Sequence, residues 1–543
     1  MRAGGAYALE TLLTISGIAS TFALDQSEIA LHLHYGSDGS EADVVIPADH
    51  TAPWQHVKPQ LSWAMDEKLP ILHCDSLPRP APAEDGDQIR LQFDLVAPTL
   101  WLLSRQEEVE ASSMGCGGGF PARKNWLVRN GLIQRPVVNL YATLLGQALH
   151  EAARSRGWPW ITTAPWPHGC GYAVCLAHDV DEVLHYDPQC GWRTLVHSLK
   201  RQEPRGIIRG LAFLIRGLWR QLVDGRDDPS WNFDDIMALE QTLGFRSTFY
   251  FVPLTTSGSR DPGYDVTQRR LSKVIADLNG GGWEVAVHGS FHSYLSGAQL
   301  RRERAQLEKV TGAQAQGIRQ HYLRLSIPHT FRAQRQAGFV YDSSLGHSEM
   351  AGFRAGVAAP FSLFDAERDE TLSLLELPLT VMDGTLFWEL GCDQSSAVRR
   401  TLEMVSIVRQ LRGMVTLLWH QRVVDQRRYP GWWAAYAAVL EHLQRDEAAW
   451  VTTASQVAQW WQRRRALTLR ATLVEAGAQR LRLSYRTPCQ IDGLCLKLWV
   501  PPDTQFSLLG ARGRIVQRET GQALVHLDSL PEDTAFHLDI CHQ

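Results

Sequence analysis

Residues 172–181 read Tyr-Ala-Val-Cys-Leu-Ala-His-Asp-Val-Asp, a continuous apolar run that ends abruptly in two carboxylates. A run of this length without polar alternation suits a strand covered on both faces, as in a parallel sheet. Side chains alternate along a strand, so Asp179 and Asp181, two apart, share a face. The pattern then repeats outward. Apolar runs recur at 247–253 (STFYFVP), 283–289 (WEVAVHG), 317–322 (GIRQHY), 339–344 (FVYDSS), 374–380 (LLELPLT) and 414–420 (MVTLLWH). Between several of them lie segments of helical period: FDDIMALEQTLG, VTQRRLSKVIADLNGG, GAQLRRERAQLEKVTG, PHTFRAQRQAG and SSAVRRTLEMVSIVRQLRG. Seven strand–helix alternations predict an α/β fold, a distorted (β/α)7 barrel over residues 166–465.

The flanks have other rhythms. Residues 1–165 mix short alternating stretches with turns, open on an amphipathic helix and close on the helical PVVNLYATLLGQALHEAARSRG, which predicts an N-terminal α/β domain. From 466 to 543, alternation in LTLRATLVEAG, QRLRLSYRT, LCLKLWVPP and ALVHLDSL predicts a small antiparallel β domain. Three domains suit 543 residues at about 150 residues each. With 44% apolar and 21% charged residues the chain is of globular type, and a net charge of -4 gives no field to recruit nucleic acid. Nine cysteines without a repeated short spacing imply neither a disulfide framework nor a zinc ribbon. The first apolar stretch is interrupted by Glu10 and falls short of a membrane span, so the expected location is the cytoplasm.

In a barrel of this kind, chemistry sits at the C-terminal ends of the strands. Those ends carry Asp179 and Asp181, His288 and His292, Arg319, and His420. Two histidines four apart meet on one face only if the turn is helical. Twenty histidines in this chain would give about 0.7 such pairs by chance, so the spacing alone proves nothing. Their position beside the paired aspartates matters more, because His, His and carboxylate with an open position form a common set for a catalytic divalent ion, zinc above all.

The order and spacing of these motifs resemble the polysaccharide deacetylase superfamily, carbohydrate esterase family four. Ala177–Asp181 resembles its first motif, His288–His292 its second with Gly289 in place of a hydroxyl residue, and Arg319–Tyr322 its third with His321 in place of proline. Leu377-Pro378 with Asp383, and Leu418-Trp419-His420, resemble the fourth and fifth. The resemblance implies Asp181, His288 and His292 as ligands of a divalent metal, zinc foremost, and Asp179 as the base activating the metal's water. Arg319 would hold that base, the backbone N–H of Tyr322 would meet the oxyanion, and His420, oriented by Asp383, would protonate the leaving group. His178 and His321 read as structural. The first 165 residues resemble an uncharacterised domain attached to some bacterial deacetylase-like proteins.

The expected activity is therefore hydrolysis of an N-acetyl or O-acetyl group on a sugar or polysaccharide precursor. Hydrolysis of another C–N bond, in a cyclic imide or ureide, is an alternative, and a carbohydrate-binding protein that keeps the fold without turnover is another. Two further segments were weighed. The run Gly115–Gly119 lacks the Lys-Ser/Thr of a phosphate loop and reads as a loop. In Arg205–Leu222 an apolar stripe (Ile207, Ile208, Leu211, Leu214, Ile215, Leu218, Trp219, Leu222) is punctuated by Arg205, Arg209, Arg216 and Arg220. Such a helix lies on an anionic membrane surface or packs over the barrel, packing being the commoner outcome. The sequence leaves the oligomeric state open.

Overall fold

The computed structural model describes residues 3–18, 31–36, 42–48, 59–64, 68–73, 88–110, 119–184, 192, 195–196, 198–201, 203–222, 228–255, 260–475, 480–500, 504–519, 522–532 and 535–542. Most of the Gly-rich run, 115–118, lies outside them, as do the side chains of Arg220 and Leu222. Tyr172–Val180 forms strand β1, with all nine residues buried, as expected of a run without polar alternation. The chain continues through β2 (Thr248–Phe251), β3 (Glu284–Gly289), β4 (Gly317–Gln320), β5 (Tyr341–Asp342), β6 (Phe361–Asp365), β7 (Glu370–Glu376), β8 (Val381–Met382), β9 (Met414–Leu418) and β10 (Ala449–Thr452). They form one sheet in the order β6-β7-β5-β4-β3-β2-β1-β9-β8, with β10 also on β1. Every neighbouring pair is parallel except the β6–β7 hairpin.

The seven expected runs all contain strands, and the sheet is the curled, parallel-rich half-barrel of an α/β fold. The hairpin partner β6, the short β8 and the late strand β10 add to the expected set. Strand β1 accommodates β10 because it is long: residues 172–175 pair with β10 and 177–180 with β2. Helices Phe233–Thr242, Arg269–Gly280, Gly297–Thr311, His329–Ala337 and Gln394–Gln410 form where the period is 3.6. Arg269–Gly280 buries Leu271, Val274, Ile275 and Leu278, the i, i+3, i+4, i+7 stripe, each contributing at most about 1.5–3 kcal/mol. Gly297–Thr311 starts on the Ser296 hydroxyl, which accepts from the Gln299 N–H, and stops at Gly312 in the left-handed region.

The flanking segments pack onto this sheet. Helix Ala3–Ile15 lies near the hairpin, with the Tyr7 hydroxyl donating to the Ser362 carbonyl (2.6 Å) and the Gly4 N–H to Asp369 (3.0 Å). Helix Val137–Ser155 joins through Asn139, whose carboxamide oxygen accepts from the Ala358 N–H (2.8 Å). The C-terminal strands pair antiparallel, in agreement with their alternation. One of these sheets takes Trp160–Thr163, from before the expected boundary at 165, as its edge strand. A single cluster of buried apolar side chains runs from Tyr7 through Tyr250 and Leu418 to Leu538, so all three expected units share one core.

Candidate active site

Parallel register brings the C-terminal ends of β1, β3, β4 and β9 to one edge of the sheet: Arg319 pairs with His288, and Leu418 with Ala177. Asp179 and Asp181 stand at the centre. Arg319, fully buried, donates from Nη1 to Asp179 Oδ1 (2.8 Å) and from Nε to the Ser343 carbonyl (2.9 Å), which fixes one carboxylate oxygen of Asp179. Burial opposes charge on Asp179, but Arg319, His288 and His420 outweigh it and hold the carboxyl below its usual range. Asp181 is held well below that range. Its burial is outweighed by the neighbouring His288 imidazole and by Arg422, His420 and His321.

Three imidazoles surround Asp181 with the same orientation. His288 Nδ1 donates to the Arg319 carbonyl (2.8 Å), which can only accept, leaving Nε2 toward Asp181 Oδ1 at 3.6 Å. His321 Nδ1 lies 3.0 Å from Asp261 Oδ1 and its Nε2 3.5 Å from Asp181 Oδ1. His420 Nδ1 lies 2.7 Å from Asp383 Oδ1 and its Nε2 3.4 Å from Asp181 Oδ2. Asp383, fully buried, also accepts from the His420 backbone N–H (2.7 Å), so ring and backbone are clamped by one carboxylate. Burial disfavours a charged imidazole at His288 and His420, but the carboxylates beside them win and raise both pKa values.

Asp181 Oδ1 is buried and has no hydrogen-bond partner, while Arg422 Nη1 reaches Oδ2 at 3.2 Å. An anionic oxygen left orphaned between two imidazole nitrogens is costly unless a cation sits there. Asp181, His288 and His321 are grouped closely enough for one metal ion to reach all three. The donor set of one carboxylate and two imidazoles, each held at Nδ1 by an acceptor, fits a divalent metal.

One expected ligand stands apart from this group. His292 is exposed, stands edge-on to Phe291 and does not join the group around Asp181. The turn after β3 is not an α-helical turn, the 3-10 turn beginning only at Ser293, so the four-residue spacing does not bring His292 over His288. His321, expected to be structural, is the imidazole grouped with Asp181 and His288. Its clue lay in alternation, since His321 follows Arg319 by two. Asp261 and Arg422 were also missed: Asp261 reads as a turn residue, and its meeting with His321 spans 60 positions. Tyr322 is 49% exposed and in the left-handed region (φ 59°). His178 is held away, between the Trp419 carbonyl (2.7 Å) and Glu240 (2.8 Å). A Cβ at Gly289 would lie 2.5 Å from Gln320 Oε1, so a larger residue there would displace the Gln320 carboxamide.

Residues 4–154 match a family of unknown function, DUF7033. No curated protein matches the chain. Among solved structures, a putative polysaccharide deacetylase from Mycobacterium smegmatis matches at 19% identity and TM-score 0.38, over 55% of this chain and 92% of that one. A probable polysaccharide deacetylase from Pseudomonas aeruginosa PAO1 matches at 16% and 0.39, over 55% and 94%. Puue allantoinase matches at 15% and 0.37, over 55% and 93%. Likeness at this level assigns neither activity nor substrate.

Proposed function

We propose that the Asp181 cluster is the active site of a metal-dependent deacetylase that hydrolyses an N-acetyl, or alternatively O-acetyl, group on a sugar or polysaccharide precursor. The observation that carries this reading is the convergence of His288 and His321 Nε2 on an unpartnered Asp181 oxygen, beside a second carboxylate with a separate anchor. Asp181, His288 and His321 would hold the ion, with zinc the best match to a carboxylate and two imidazoles. When bound, a divalent ion polarises an acyl carbonyl and acidifies water.

The remaining work falls to the chain. Asp179 is the general base. Arg319 occupies its Oδ1, leaving Oδ2 to accept the proton of the attacking water, and keeps it ionised at neutral pH. The backbone N–H of Tyr322 stabilises the oxyanion, a contribution of roughly 3–4 kcal/mol for one such donor. His420 donates its Nε2 proton to the leaving amine, and Asp383 holds the ring and stabilises its charged form. Chelator-treated and metal-restored protein, assayed for acetate release from an N-acetylated oligosaccharide and for ring opening of a cyclic imide or ureide, tests the reading. Acetate release that returns with metal supports it. Ring opening of a cyclic imide or ureide, read as a new carboxylate with neither acetate nor ammonia released, would replace it with the alternative C–N hydrolase.

A further inference from the structure

Helix Pro204–Leu222 belongs to the insertion that follows β1, and most of the described residues of its apolar stripe are exposed, Ile207 and Leu214 being half-buried. Ile208, Leu211, Ile215, Leu218 and Trp219 are 45–68% exposed, where a helix packed over the barrel would bury them. The inner face is made of glycine: a Cβ at Gly210 would lie 2.7 Å from the Leu195 backbone N, and one at Gly206 would strike Ser198. The helix is thus seated closely at its glycines and leaves five of its large apolar residues exposed. At about 100° per residue the five exposed apolar side chains occupy a band roughly 100° wide, and Arg205, Arg209 and Arg216 follow along one border. The helix carries no Asp or Glu. Trp192 and Leu199, in the segment packed beneath it, are also more than half exposed, next to Lys200 and Arg201.

We propose that this face docks on an anionic lipid surface. A tryptophan-bearing apolar band bordered by arginines matches the boundary between acyl chains and acidic headgroups. A second copy of the chain matches it less well, because a self-complementary contact would bring these arginines together with no acid from the helix to neutralise them. The insertion is rooted at the active site. Glu182, next to Asp181, accepts from the Ser230 hydroxyl (2.6 Å) and pairs with Arg428, and the Ser230 carbonyl accepts from Gln421, next to His420. On the deacetylase reading, docking fits an acetylated sugar carried by a lipid. The docking itself is independent of that reading.

Flotation of the full chain with vesicles of phosphatidylcholine alone, or with added phosphatidylglycerol, tests it. The protein should float with the anionic vesicles, stay behind with the neutral ones and be released by raised salt. Each arginine near such a surface contributes about five-fold, so Arg205→Glu with Arg209→Glu should weaken partitioning on the order of 30-fold or more. Ile208→Gln with Ile215→Gln should abolish flotation while keeping the parent's melting midpoint. Failure of the folded parent to float, unchanged flotation of the Glu pair, early melting of the Gln pair, or a parent dimer that the Gln pair splits would each overturn the proposal. Flotation without acetate release would leave docking standing and remove the deacetylase reading.

Discussion

Asp179 and Asp181 are separated by one valine yet have different partners, and that difference dictates different responses to substitution. Asp179→Asn should keep its metal and lose about 10²–10⁴ in kcat, because the guanidinium of Arg319 still finds an acceptor while the proton acceptor is gone. Metal loss in that variant would mean that the two carboxylates exchange roles. His420→Ala should slow hydrolysis of an amide substrate far more than that of an activated ester, whose leaving group needs little protonation. Equal slowing would remove His420 from the acid role. Asp179, Arg319, Asp383 and His420 were legible because each closes or follows a strand, so register brings them together. The four-residue spacing of His288 and His292 predicts a shared face only on a helix, and here the backbone turns before a helix forms.

At the scale of elements, the turn after β3 is clamped from behind by helix Gly297–Thr311. Glu303 on that helix is buried and accepts from the Ser290 hydroxyl and backbone N–H (3.2 Å for the latter). Burial pushes its pKa up to about 7, against an ordinary 4.5, the hydrogen bonds from Ser290 only partly offsetting this. The folded protein thus binds the Glu303 proton more tightly than the unfolded chain. The associated stability is full below about pH 4.5 and is lost as pH rises through about 7, a swing on the order of 3 kcal/mol. Glu303→Gln should flatten this decline, measured as the change in urea midpoint between pH 5 and 8 (both about these values). An identical pH dependence in parent and variant would show that Glu303 does not titrate in this range. The helix itself was legible from period and caps. Its clamp was not, because no local pattern links Glu303 to the loop thirteen residues earlier.

Across the whole molecule, the N-terminal segment and the sheet region share buried charge. Arg354 donates to both oxygens of Glu108 (2.9 and 2.5 Å), and Arg105 pairs with Glu107 and Glu108. Two arginines match two glutamates, so Arg354→Ala leaves one net negative charge buried and should cost about 3–5 kcal/mol, read as a lowered denaturant midpoint. A midpoint within error of the parent would mean that water reaches this contact. Sequence rhythm made the seven strand runs and the antiparallel tail legible, yet it could not place Trp160–Thr163 in the C-terminal sheet, since that pairing joins residues more than three hundred positions apart. The meeting of His321 with Asp181 likewise depends on the assembled sheet. Elemental analysis of the dialysed parent, His321→Ala and His292→Ala proteins tests the ligand assignment directly. Stoichiometric metal should remain in the parent and His292→Ala and be lost from His321→Ala. Metal kept by His321→Ala and lost from His292→Ala would contradict the assignment.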